Sequence, residues 1–249
     1  MRVTNALHRN SVVLFIGFVG LVLWGFWSSY YSNPLAMVSQ GPDLTIVHLH
    51  GFVMTLWCAM LVSQAYLIRT NRRSWHRAIG KTSYVLAPLV VILQVVALRN
   101  FMLSRQDMVS QGAVTDGAAV FAALLFGMSA LFAGLYGLAI YFRRSAPTHA
   151  RFMIATVFVI LAPATDRIVN NYFPSIKSYL PQVHKNEALV AFALADIVLL
   201  ALTLWDWRSR PRRYVFPALL VVLLAYQTFT LNAYHFALWR SFCEWFLHL

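Results

Sequence analysis

Apolar residues run through this chain in seven long stretches, each separated from the next by a short polar segment. Each stretch is about 20 residues long, which is the length an α-helix needs to cross the hydrocarbon core of a bilayer. The pattern predicts spans at 12–31, 44–68, 78–98, 117–142, 152–169, 188–205 and 214–239. The first stretch is long and ends in aromatic residues, which favours a retained helix over a cleaved signal peptide. We therefore expect an all-α bundle of seven transmembrane helices, forming a single integral membrane domain over residues 1–249.

Composition supports the same class. Of the 249 residues, 60% are hydrophobic and 11% are charged, whereas soluble domains average about 45–50% and about 25%. This composition excludes a soluble globular domain, a disordered chain and a secreted disulfide scaffold. The connections between the stretches are short, so they leave no room for a separate soluble domain.

Basic charge alternates from one connection to the next. The chain has 20 Lys and Arg against 8 Asp and Glu, a formal net charge of +12. Most basic residues lie in the N-terminal segment and in the second, fourth and sixth connections: Arg2, Arg9, Arg69, Arg72, Arg73, Arg77, Lys81, Arg143, Arg144, Arg151, Arg208, Arg210, Arg212 and Arg213. The positive-inside rule then predicts the N-terminus inside and the C-terminus outside. The charge indicates topology and contact with anionic lipid headgroups on the inner face, not a nucleic-acid partner.

Polar residues recur on single faces of three predicted helices. His50, Trp57 and Gln64 follow one another every seven residues along the second span, so they share a stripe. Similar stripes on the third and fifth spans comprise His76, Gly80, Ser83 and Gln94, and His149, Met153, Thr156 and Arg167. Unsatisfied polar groups are costly in hydrocarbon, so we expect these stripes to face one another or a cavity.

Other polar residues are candidates for a site. Asp196 is the one carboxylate near the centre of a predicted span, and we expect it to pair with Arg167 or with a histidine. His48 and His50 lie two residues apart, which on a helix turns them to nearly opposite sides, so only one can serve a given site. We favour His50, which shares the stripe with Trp57 and Gln64.

Two histidines each open a helix directly after an arginine-rich connection. His76 follows the second span and His149 follows the fourth, so segments 44–98 and 117–169 are a possible pair of repeated hairpins. A b-type haem takes neutral imidazoles from two helices and cations near its propionates. The pattern thus favours haem b held by His76 and His149, with Arg77 and Arg151 contacting propionates or lipid phosphate.

A second haem on the outer side would use His50 with His235 or His184, and two haems would carry electrons across the membrane to a redox partner. Three other interpretations remain open. Histidines beside arginines at a membrane boundary also contact lipid phosphate. His50, His184, His235 and Asp166 could form the catalytic zinc site of a membrane hydrolase. The polar stripes could also line the path of a transporter or a small-molecule binding protein, with Asp196 relaying protons.

The segments HLHGFVMTLWCAMLVSQAYLIR, SWHRAIGKTSYVLAP and THARFMIATVFVILAPATDR resemble a family of uncharacterised bacterial multi-pass membrane proteins. The motif positions that carry the resemblance are His50, Gly51, Trp57, Gln64, His76, Arg77, Gly80, His149, Arg151, Met153, Pro163 and Arg167. The resemblance covers roughly residues 45–168 and implies a bacterial plasma (inner) membrane location. In outline the chain is also similar to di-haem b-type membrane cytochromes, which use paired histidines across helices.

Overall fold

The computed structural model describes residues 2–32, 44–105, 108–110, 113–176, 186–208 and 214–249. Nearly all of them are helical. The described helices are α1 (Arg2–Phe26), continued by a π-helical turn (Trp27–Tyr31), α2 (Leu44–Arg69), α3 (Arg73–Gly80), α4 (Ser83–Ser104), α5 (Asp116–Tyr141), α6 (Ala146–Tyr172), α7 (Asn186–Arg208), α8 (Val215–Asn232), continued by a 3₁₀ turn (Ala233–His235), and α9 (Ala237–His248). Between α4 and α5, strands β1 (Val109–Ser110) and β2 (Ala113–Val114) pair antiparallel.

Within the described residues, six helical segments are long and apolar enough to cross a membrane. They are Ser11–Tyr31, Thr45–Arg69, Ser83–Ser104, Asp116–Tyr141, Ala146–Tyr172 and Val215–His235. The predicted span 188–205 lies within α7, whose side chains are described only from Phe192 onward. The all-α fold and these six helices agree with the sequence prediction, while a crossing by α7 stays a prediction.

Helix α6 occupies the centre of the bundle. It contacts α1, α5, α7 and α8, and it carries the largest buried fraction of the six candidate spans. Small residues let its neighbour approach closely: a Cβ atom added at Gly25 of α1 would lie 2.5 Å from the carbonyl oxygen of Ala164. Close approach at small residues is typical of helix packing in membranes. The predicted polar stripe on this helix therefore lies where it can meet several others.

The third predicted span, 78–98, is two helices in the structure. Helix α3 ends at Gly80 and α4 begins at Ser83, so His76 lies on a short separate helix and not on the spanning one. Lys81 and Thr82, which link the two helices, keep α-helical dihedral angles (φ −67°, ψ −25° and φ −64°, ψ −24°). The face predicted for His76, Gly80 and Ser83 is therefore divided between two helices. The end of α3 and the start of α4 are in contact, because the Ser83 hydroxyl donates to the Gly80 carbonyl at 2.6 Å.

The last predicted span, 214–239, is also interrupted. The chain becomes extended at Phe236 (φ −92°, ψ 108°), and α9 then packs against α4 and α5. Arg99 of α4 donates to the carbonyl oxygens of Phe246 and Leu247 at 3.2 and 3.0 Å. These carbonyls end α9 and have no partner within the helix, so the guanidinium satisfies them. The continuous seventh span is thus corrected to a shorter one followed by an amphipathic helix.

Candidate functional site

The predicted stripe on α2 carries polar atoms that are buried and unsatisfied. The Nδ1 atom of His50, the Nε1 atom of Trp57 and the Nε2 atom of Gln64 have no hydrogen-bond partner among the described residues. Trp57 is fully buried, and its ring packs edge-on against Phe132 with centroids 4.9 Å apart. A buried polar atom without a partner costs free energy and calls for a ligand or water. The stripe on α2 therefore carries buried polar atoms along its length, with His50 at one end and Gln64 at the other.

His76 and His149 lie near the Gln64 end of this stripe. The Nδ1 atom of His149 lies 2.8 Å from the carbonyl oxygen of Ala139. A carbonyl only accepts, so Nδ1 carries the hydrogen and Nε2 keeps its lone pair when the ring is neutral. The Nδ1 atom of His76 is buried with no partner in the described part of the chain, and the charge of His149 acts on it. The structure thus brings these two predicted residues together.

The pKa of His76 is lowered from its ordinary value. Burial of the ring is the main cause, and a positive charge on His149 lowers it further, whereas a hydrogen bond to the Gln64 main chain raises it. Burial penalises the charged imidazolium. Near neutral pH, His76 is therefore an uncharged imidazole, which is the form that ligates a metal or accepts a proton.

Five helices, α2 to α6, contribute residues to this end of the stripe. The Ser83 hydroxyl lies 2.8 Å from the Tyr136 hydroxyl, and the Tyr136 ring packs edge-on against Trp57 at 5.7 Å. A Cβ atom at Gly80 would lie 3.5 Å from the Oε1 atom of Gln64. We call this set the His76 cluster; its members are Trp57, Gln64, His76, Ser83, Tyr136 and His149. It combines two imidazoles with an aromatic wall.

Arg151 is not free to join this cluster. Its Nε and one terminal nitrogen donate to the two carboxylate oxygens of Asp206 at 2.7 and 2.6 Å. Its other terminal nitrogen donates to the Pro147 carbonyl at 3.0 Å, and the side chains of Arg151 and Asp206 are 2% and 0% exposed. The predicted propionate contact does not fit an Arg151 engaged in this way. Arg77, in contrast, is exposed on α3.

Asp206 is the functional neighbour that the sequence interpretation missed. It lies in the last turns of α7, next to the basic sixth connection. The available signal was its place directly after an apolar stretch, between Trp205 and Trp207. A carboxylate in that position needs a cationic partner.

The other end of the stripe carries His50, and Arg167 of α6 lies close to it. The guanidinium of Arg167 lies over the ring of Phe26, 4.3 Å from its centroid, donates to the Pro163 carbonyl at 3.1 Å, and interacts electrostatically with His50. The Oγ atom of Ser29 is buried with no partner in the described segments. We call Phe26, Ser29, His50 and Arg167 the His50 cluster.

Asp196 and His235 lie apart from both clusters. Asp196 accepts a hydrogen bond from the Nε2 atom of Gln227 at 2.8 Å, so Gln227 occupies the place expected for Arg167 or a histidine. His235 is exposed and lies against Tyr234 with ring centroids 3.9 Å apart. His184 lies outside the described residues. Over the described part of the chain, no three His, Cys, Asp or Glu side chains are grouped so that they could hold a metal ion.

Comparisons with known proteins identified no relative of this chain. No protein-family model, no curated protein and no solved structure matches this chain. The resemblance of residues 45–168 to the bacterial membrane family therefore rests on the motif residues alone.

Proposed function

We propose that the chain is a seven-helix protein of a bacterial inner membrane that binds haem b through His76 and His149 and transfers electrons. The observation that carries the proposal is the pair of imidazoles in the His76 cluster. One ring is oriented by the 2.8 Å contact with the Ala139 carbonyl, and the other has a buried nitrogen without a partner among the described residues.

Both histidines have the properties that an axial ligand requires. A ligating histidine is neutral, and its second nitrogen donates to a carbonyl or carboxylate that fixes the tautomer and the ring orientation. His149 has this arrangement through Ala139, and burial keeps His76 neutral by lowering its pKa. When bound between two imidazoles, haem b supplies reversible one-electron chemistry.

The residues around the pair have separate tasks. Trp57 and Tyr136 wall the cluster and exclude water from it, and Gln64 offers its amide nitrogen as a donor. Arg77 replaces Arg151 as the cation for a propionate, because it is exposed and next to His76 in the sequence. The same exposure lets Arg77 and its neighbours Arg72 and Arg73 bind anionic headgroups.

The proposed topology places the His76 cluster at the inner face. The proposed bundle has seven spans, of which α7 is the sixth along the chain, with the N-terminus inside and the C-terminus outside, as the positive-inside rule requires for these connections. The electron donor or acceptor then approaches His76 from the cytoplasmic side. Gln64, which lies beside His76, is about 21 Å along α2 from His50, at about 1.5 Å per residue.

The test is an absorption spectrum of the detergent-purified protein after expression with added haem, before and after reduction with dithionite. We expect a Soret band and a sharp α-band on reduction. His149→Ala and His76→Ala should each lose the bound haem and still elute as a monodisperse protein. His248→Ala, which removes an exposed histidine at the end of α9, is the matched control and should keep its haem.

Two results would contradict the proposal. One is a wild-type protein that stays colourless after haem-supplemented expression. The other is full haem content in both His149→Ala and His76→Ala. A colourless protein with stoichiometric zinc by metal analysis would favour the hydrolase interpretation instead.

A further inference from the structure

The His50 cluster sits where three helices meet, far from His76. The ends of α1, α2 and α6 are joined there by specific contacts. The amide of Asn171 donates to the Ser28 hydroxyl at 2.8 Å, and the Tyr30 hydroxyl lies 3.4 Å from the Nδ1 atom of His48. These contacts join α1 to α6 and α1 to α2.

Helix α1 changes its winding at this point. Residues Trp27–Tyr31 form a π-helical turn, and π-helical turns inside longer helices are frequent at functional sites. Ser29 follows Gly25 by four residues, and Gly25 is the residue that lies against α6 at Ala164. Ser29 therefore lies about one turn further along the face that meets α6, with its Oγ atom buried.

The side chains of the cluster present hydrogen-bond donors and positive charge. Ser29 and His50 each have a buried polar atom without a partner in the described residues, and Arg167 adds a guanidinium that interacts with His50. Hydroxyl, imidazole and guanidinium groups together are suited to the oxygens of an anion. Exposed aromatic side chains that precede Ser29 on α1 are Trp24 and Trp27, at 43% and 57% exposure.

We propose that the His50 cluster binds the oxyanion of an amphiphile whose apolar tail lies along the exposed aromatic residues. The carboxylate of a fatty acid and the phosphate of an anionic phospholipid share this chemistry. The headgroup oxygens pair with Arg167 and accept from Ser29 and His50. In this role His50 is a ligand-binding residue and not an axial ligand of a second haem. The inference is independent of the haem proposal, because it uses other residues at the opposite end of the bundle.

Native mass spectrometry of the delipidated full-length protein tests the site with three probes: oleate, phosphatidylglycerol and inorganic phosphate. We expect one retained molecule of oleate or phosphatidylglycerol, and the probe that is retained identifies the source of the oxyanion. Arg167→Gln should weaken this binding at least about tenfold, because a hydrogen bond to a charged group is lost. Arg144→Gln, which removes an exposed arginine outside the cluster, should leave it unchanged.

Ser29→Ala provides a second, milder variant, since it removes one hydroxyl and keeps the helix. It should weaken binding about two- to tenfold, and it carries the test if Arg167→Gln does not fold. The proposal is overturned if neither amphiphile is retained, if inorganic phosphate alone binds, or if binding survives unchanged in the folded cluster variants.

Discussion

The ion pair between Arg151 and Asp206 is the most deeply buried charged contact among the described residues. Both carboxylate oxygens accept from the same guanidinium, and the arginine also lies beside the Phe216 ring, 6.0 Å from its centroid. Such a bidentate pair offsets the cost of taking two charges out of water. Removing one partner leaves the other as a buried charge without a counter-charge. The ion pair therefore stabilises the contact between α6 and α7.

We predict that Arg151→Met lowers the free energy of unfolding by about 3–5 kcal/mol, because Asp206 is left as a buried charge. The double variant Arg151→Met with Asp206→Leu should recover most of this loss, since neither charge remains. Thermal unfolding in detergent, followed by circular dichroism, measures both. Arg144→Met, at an exposed position, is the control. Equal destabilisation in the single and the double variant would contradict the uncompensated-charge explanation.

The lowered pKa of His76 makes stability depend on acidity. The unfolded chain protonates this histidine near 6.5, whereas the folded chain does so only at lower pH. Below pH 6.5 the unfolded state therefore binds the additional proton, and stability falls as the pH falls. We predict a shallower loss of thermal stability between pH 6.5 and 5 in His76→Gln than in the wild type, whereas identical pH profiles would refute the assignment.

At the residue scale, the sequence predicts which side chains share a face when all of them lie on one helix. The seven-residue spacing of His50, Trp57 and Gln64 defines a face without any tertiary information, and each of the three has a buried, unsatisfied polar atom. The pairing of Arg151 with Asp206 could not be found in this way. The two residues are 55 positions apart, and their contact depends on how α6 and α7 pack.

At the scale of elements, hydropathy located most helices and missed their interruptions. A window of about 20 residues averages across a short break, so 78–98 and 214–239 read as continuous. The breaks at 81–82 and at Phe236 arise from local geometry and from the packing of α9. Neither changes the mean hydropathy of the segment.

Helix α1 depends on glycine where it touches α6. A Cβ atom at Gly25 would meet backbone atoms of Ala164, whereas one at Gly20 meets nothing within 4 Å. We predict that Gly25→Val destabilises the protein by about 1–3 kcal/mol, because the helices must separate. Gly20→Val is the matched control and should change stability little. Thermal unfolding of the two variants compares them directly, and equal effects would refute close packing as the cause.

The end of α9 depends on Arg99. Its two donors hold the carbonyls of Phe246 and Leu247, so Arg99→Gln should release the last turn of the helix. We expect faster amide hydrogen exchange in residues 244–248 of this variant, with α4 itself unchanged. Unchanged exchange in α9 would show that its aromatic contacts suffice to hold it.

At the scale of the whole molecule, the charge pattern predicts an orientation that labelling can check. Ser74 and Ser104 are both exposed and lie before and after the span formed by α4. With Cys58 and Cys243 replaced by alanine, Ser104→Cys should react with a membrane-impermeant maleimide on intact cells. Ser74→Cys should react only after the cells are opened. The reverse result would invert the proposed topology and move the His76 cluster to the outer face.

The ion pair between α6 and α7 also determines when the two helices can pack together during synthesis. Arg151 leaves the ribosome 55 residues before Asp206, which at about 5–20 residues per second is an interval of about 3–11 s. Throughout it, the most central helix of the bundle carries a cation whose carboxylate does not yet exist. Arg151 lies near the N-terminal end of α6, where its guanidinium can stay among water or headgroups, so the contact between α6 and α7 forms only after α7 has been made. Assembly of this bundle is thus timed by its sequence, with the core completed late.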